Sequence, residues 1–233
     1  LIDWLVKVEN TLMQYSGNTP VPIFLSEVSW PTANSSLRKS KRHYTVTEAA
    51  QRDYLTRTYL LARRYEFIKG IWWFNLIDKN ALNGERYYGA KDAPSFGLMV
   101  RDTEENKTIF KSSFFAFNYI SEIIKDGRIN SKIKNDCPSV QSMNFITESQ
   151  QILVMWSPES RPTIKLNMDP SSSDQYQVIV QRAGDARFSP KGKAFDLELN
   201  ANPVAIYFPT FVNMPSVSMA SGAPCIIASV NTQ

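Results

Sequence analysis

The chain has 233 residues, 43% hydrophobic and 21% charged, the make-up of a globular protein that can bury a core, as one large domain or two smaller ones. Its formal net charge of +4 is mild, and much of the basic excess sits in Arg38–Arg42 with the single His43 attached, a run that reads as a solvated loop. A nucleic-acid surface would need a basic face with interleaved aromatics, which is not evident, and no window is long and apolar enough to cross a bilayer.

Residues 1 to about 15 carry apolar side chains three and four apart (Leu1, Trp4, Leu5, Val8, Leu12), which predicts a helix. That pattern is already running at residue 1, so an upstream portion is expected, together with any localisation signal. Localisation is therefore open, with secretion the favoured option. After Gly17–Pro20, the run Val21–Ser26 predicts a strand buried on both faces in a parallel sheet. This strand stops at Glu27 and passes directly into Trp30 and Pro31. A carboxylate beside aromatics at the carboxyl end of such a strand is where parallel α/β enzymes place catalytic groups.

A polar loop follows to Tyr44. Thr45 with Glu48 forms a predicted capping box for a helix with Ala49, Ala50, Tyr54, Leu55, Thr58, Tyr59 and Ala62 on its apolar face. Gly70–Asp78 (Gly-Ile-Trp-Trp-Phe-Asn-Leu-Ile-Asp) predicts a second buried strand, and 109–124 a third helix. Alternating helices and strands call for parallel pairing. Two strands cannot close a barrel, so this region is expected to be the tail of a larger α/β body. Beyond Gly127 the texture changes to short β-type runs: 140–145, 152–156, 163–166, 178–180, 194–199 and 204–208. Turn residues separate them, and the set reads as a small antiparallel β-sandwich. The predicted organisation is 1–130 as the α/β part and 131–233 as the β-sandwich. Cys137 and Cys225 match no metal spacing and form either one disulfide or two free thiols. Asn34 and Asn106 each head a glycosylation-type triplet.

The stretch Ile23–Thr32 (Ile-Phe-Leu-Ser-Glu-Val-Ser-Trp-Pro-Thr) resembles the seventh strand of the clan A (β/α)8 glycoside hydrolases, in the manner of families 39 and 5. There an "E-x-G-W-P-T"-like turn carries the nucleophile. The sequel fits in order: a helix with Ala49–Arg52 and Tyr59–Ala62, an eighth strand in Ile71–Asp78, then Phe96–Leu98 and a closing helix from Lys107 to Ile124. The β-region with Leu197–Val204 is similar to the small sheet domain that follows such barrels. Ser29 stands where this turn often has Gly, and Asn75 where an acid is common after the aromatic pair, which leaves sugar specificity open. No Asn-Glu pair, the usual seat of the acid/base, occurs in the sequence.

The resemblance implies the C-terminal portion of a (β/α)8 TIM barrel followed by a β-sandwich, belonging to a retaining glycosidase. Such chemistry uses two carboxyls about 5–5.5 Å apart, one attacking the anomeric carbon, the other protonating the leaving oxygen and then deprotonating water. Glu27 takes the attacking role, and the acid/base is expected on an N-terminal segment or companion chain that completes the barrel. No metal or organic cofactor is implied. Strand neighbours point to opposite faces, so one of Trp72 and Trp73 is expected in the core. Trp73, sharing its face with Asn75, is the expected floor of the sugar site, with Trp30 a second wall or a loop anchor. Asp78, with Tyr87 or Tyr88, is a candidate for reaching sugar hydroxyls. The expected partner is a carbohydrate substrate, with no nucleic acid and no membrane. The alternative reading is a non-catalytic glycan-binding or structural subunit built on a degenerate barrel.

Overall fold

A computed structural model describes residues 1–32, 45–78, 95–102, 106–130, 133–137, 139–167, 179–183, 185, 187, 189, 194–209, 216–221 and 227–229. Arg38–Arg42, His43, Asn34, Tyr87, Tyr88 and Cys225 lie outside them. The fold is mixed α/β, with three helices and several sheets among the described residues. The chain divides into two compact units, Leu1–Asn118 and Tyr119–Gln233, the division falling inside the third helix.

In the first unit, α1 (Ile2–Tyr15) buries Ile2, Leu5 and Glu9. It ends where Gly17 adopts φ 67°, which lets Asn18 N–H bond back to Met13 O at 2.9 Å in a Schellman-type close. Glu9 is 3% exposed and its Oε1 accepts from Val21 N at 2.8 Å, which fixes the chain as it enters β1 (Ile23–Val28). After α2 (Glu48–Ala62), β2 (Ile68–Trp73) pairs parallel with β1. Ile23, Leu25, Ile68 and Ile71 face α1 and α2 and pack on Ile2, Leu5 and Ala62. Thr47, not Thr45, caps α2: its side chain accepts from Ala50 N at 3.1 Å, and Glu48 is already the first helical residue.

The predicted strand Gly70–Asp78 is two elements. The ladder with β1 stops at Trp73, and β3 (Ile77–Asp78) joins β4 (Met99–Asp102) in another sheet. β4 turns back antiparallel into β5 (Lys107–Phe110), so residues predicted as the start of the third helix are a strand; α3 itself runs Ser112–Asp126.

Among the described residues the second unit holds two five-stranded antiparallel sheets. One has the order β12-β10-β14-β15-β7, with β7 (Ile133–Asn135), β10 (Thr163–Asn167), β12 (Ala194–Glu198), β14 (Ser216–Met219) and β15 (Ile227–Ser229). The other has the order β11-β13-β9-β8-β6, with β6 (Arg128–Ile129), β8 (Gln141–Ile146), β9 (Gln150–Trp156), β11 (Ile179–Arg182) and β13 (Val204–Pro209). Leu153, Val180 and Ile206 of one sheet share a buried core with Ile164, Leu166, Val217 and Ile227 of the other. On the opposite face a row of paired residues, Ile179, Tyr207, Ile152, Phe145 and Ile129, crosses the second sheet. Cys137 is disulfide-bonded.

Candidate functional site

Glu27 lies near the end of β1, and its direction is set by register. Leu25 pairs with Ile71 and Val28 with Trp73, so two residues of β1, Ser26 and Glu27, stand against one of β2, Trp72. Such a β-bulge re-aims the side chains it contains. A regular strand would put Glu27 on the face of Ile23 and Leu25, against the helices. With the extra residue, Val28 takes that inward position and is 8% exposed, while Ser26 and Glu27 are both exposed on the face of Phe24 and Trp72. Phe24 and Trp72 have ring centroids 6.2 Å apart and are 58% and 54% exposed. Gly70 makes room for them: a Cβ there would stand 2.6 Å from the outer carbons of Trp72 and 3.2 Å from Phe24 Cδ1. No hydrogen bond or ion pair engages Glu27 among the described residues.

The turn after Glu27 is clamped from three sides. Gln51, fully buried on α2, donates Nε2 to Trp30 O at 2.7 Å and to Phe96 O at 3.4 Å, and Ser113 Oγ donates to its Oε1 at 2.8 Å. Val46 N donates to Pro31 O at 2.8 Å, and Thr32 exchanges backbone bonds with Ser95. Trp30 is half-buried, its ring 5.3 Å from Tyr54 and 5.9 Å from Trp73. Trp73 is also half-buried, and its indole N–H donates to Phe96 O at 3.1 Å. Because Trp73 pairs with Val28, it shares the helix-side face, and Trp72 is the indole on the side of Glu27.

Asn75 is half-buried, and its Oδ1 is buried with no hydrogen-bond partner among the described residues. The peptide between Phe74 and Asn75 is cis. Asp78 is turned inward. Its Oδ1 accepts from Gly97 N at 2.5 Å, and its Oδ2 lies 2.6 Å from Lys111 Nζ, with both side chains nearly sealed from solvent. Lys111 also donates to Thr32 Oγ1 at 3.1 Å and Ser95 O at 3.4 Å, so this ion pair ties β3 to the loop that follows Glu27. A charge pair this buried needs its remaining donors satisfied, and the Thr32 and Ser95 oxygens do that.

Glu27, Trp30, Trp73, Asn75 and Asp78 all belong to the first unit: Glu27 and Trp73 lie at the ends of β1 and β2, and the other three follow those strands. Trp30 and Trp73 are in ring contact with each other. Gln51, Ser113 and Lys111 were not singled out by sequence, though a Gln inside the apolar face of α2 was a usable signal.

No protein-family model and no curated protein matches the sequence. Among solved structures, the chain is similar in fold to a family 39 glycoside hydrolase from the gut symbiont Bacteroides cellulosilyticus WH2. The TM-score is 0.57 at 16% identity, over 82% of this chain and 34% of that one. A family 30 endoxylanase from Clostridium papyrosolvens C71 also matches, with a TM-score of 0.42 at 9% identity over 85% of this chain and 44% of that one. The chain thus spans about a third of the length of the family 39 structure.

Proposed function

We propose that this chain is part of a retaining glycoside hydrolase with Glu27 as its nucleophile. In this reading the first unit is the last portion of a (β/α)8 barrel and the second is an accessory β-sandwich. The observation that carries the reading is the Ser26–Glu27 bulge, which moves a carboxylate off the helix-packed face and onto the face of Phe24 and Trp72. The family 39 likeness supports the fold that would present it. The Glu27 carboxylate attacks the anomeric carbon as the glycosidic bond breaks, forming a glycosyl ester. A second carboxyl first protonates the departing oxygen, then takes a proton from the water that cleaves the ester. Asn75 Oδ1, a buried acceptor without a partner among the described residues, is assigned to a sugar hydroxyl, and Trp72 supplies an apolar surface beside the reacting ring. Trp30 and Trp73 hold the wall behind Glu27, and Asp78 with Lys111 holds the loop in register.

The second carboxyl is assigned to a complementing barrel portion, in the same polypeptide or in a companion chain. Surface chemistry supports this. β1 and β2 form a two-stranded sheet among the described residues, and such a ribbon is marginal alone. Leu1, Trp4, Leu12 and Tyr15 line α1 with 36–86% exposure, a stripe that calls for cover. The test is co-expression with a complementing barrel portion: activity on aryl glycosides is expected only from the combination, and only with Glu27 intact. Equal activity from a Glu27→Gln combination would reject the assignment. The second reading, a glycan-binding or structural subunit built on a degenerate barrel, predicts no turnover in any combination.

A further inference from the structure

A cleft of about 1050 Å³ opens in the second unit where α3 ends over the β11-β13-β9-β8-β6 sheet. Gly127 allows the chain to leave α3 this close to the sheet, since a Cβ there would collide with Ile123 O and press on Phe145. Tyr207 and Ile152 form part of the floor; Glu122 and Asp126 of α3, Arg128 of β6, Glu148 of the β8–β9 turn and Arg187 form the walls. Tyr207 is 7% exposed, and its hydroxyl is buried with no hydrogen-bond partner among the described residues. Burial pushes this phenol up to about 12, so it stays a donor at any physiological pH. An unpaired buried hydroxyl is a standing cost to a fold and calls for an explanation. Arg187 is held in place by Glu122 Oε2 and Gln181 Oε1, each at 2.9 Å, and its guanidinium carbon stands 5.4 Å from the Tyr207 ring centroid.

We propose that this cleft binds a neutral glycan chain. Sugar hydroxyls both donate and accept, and the lining offers carboxylate acceptors and guanidinium donors beside apolar side chains. Three carboxylates against two guanidiniums oppose a polyanion. A bare metal ion is not favoured either, since Glu122 is already paired with Arg187 and no metal-type cluster occurs among the described residues. The volume lies just above the roughly 300–1,000 Å³ range of small-ligand clefts, which suits several sugar units. None of these residues belongs to the Glu27 site, so the two assignments stand or fall separately.

Isothermal titration of the full chain with cellohexaose, xylohexaose and mannohexaose, and with hexagalacturonic acid as the charged comparison, tests the proposal. At least one neutral hexasaccharide binds. Tyr207→Phe weakens it about five- to tenfold, the loss of one hydrogen bond, without lowering the melting temperature. Glu148→Gln, on an exposed turn, also weakens binding in a chain of unchanged stability, while Glu27→Gln leaves it as in the parent. No binding of any neutral hexasaccharide at millimolar concentration would overturn the proposal. So would affinity indifferent to both cleft variants, or preference for the galacturonate.

Discussion

Glu27 stands across the strand pair from Trp72 because β1 carries one residue more than β2 between the Leu25–Ile71 and Val28–Trp73 pairs. Side-chain alternation has a period of two, so one residue added or removed exchanges the faces of everything beyond it. The proposed chemistry therefore depends on Ser26 as much as on Glu27. Deleting Ser26 is expected to return the carboxylate to the helix-packed side and to abolish turnover in the complemented enzyme. Ser26→Ala, which keeps the count, is expected to retain turnover within about tenfold. Steady-state kinetics on an aryl glycoside separates the two.

The Lys111–Asp78 pair is expected to be a stability element with functional reach. Lys111→Met leaves a buried carboxylate without its cation, at a cost of about 3–5 kcal/mol. Urea unfolding followed by tryptophan fluorescence should show the loss in the transition of the first unit. A loss under about 1 kcal/mol would mean that the pair is not buried as described.

Gln51 bonds to Trp30 O, Phe96 O and Ser113 Oγ from a fully buried position. Gln51→Leu orphans these groups and is expected to cost about 2 kcal/mol. Since Trp30 O belongs to the turn after Glu27, kcat should fall more than KM rises. Ser113→Ala, which removes one partner only, should show a smaller version of the same pattern.

Most of the strand and helix order was legible in the sequence, and the reason is periodicity. The three-and-four spacing of α1 and the unbroken apolar runs of β1 and β2 are strong signals within single segments. What was not legible depends on partners. The bulge at Ser26–Glu27 exists only relative to β2, and no feature of Ile23–Val28 alone announces it. β3 was read as the end of β2 because Ile77 and Asp78 continue its apolar run, although they pair with Met99 and Val100. Lys111 was not singled out, because lysines are rarely buried unless paired, and its partner Asp78 is 33 residues away. β6 and β7 span two and three residues, too short for alternation to show. Thr45 and Thr47 both precede the helix, and only the hydrogen bond to Ala50 N distinguishes the cap.

Alkaline stability follows from buried phenols. Burial raises Tyr59 and Tyr207 from an ordinary 10.0 to about 12, and raises Tyr119 well above its ordinary value. The folded chain therefore holds protons that the unfolded chain gives up above pH 10. The stability these groups contribute is fully present below pH 10 and is lost as pH climbs toward 12. Melting temperatures across pH 8–12 should be flat up to about 10 and then fall, and Tyr207→Phe should soften the fall.

The most direct test of the Glu27 assignment is covalent trapping. The complemented enzyme, incubated with a 2-deoxy-2-fluoro glycoside bearing a good leaving group, should stall at the glycosyl ester. Peptide mass spectrometry is expected to place the added sugar mass on Glu27, and Glu27→Gln to lose turnover by at least about a thousandfold. A sugar adduct on a different carboxylate, with Glu27 unmodified, would contradict the account.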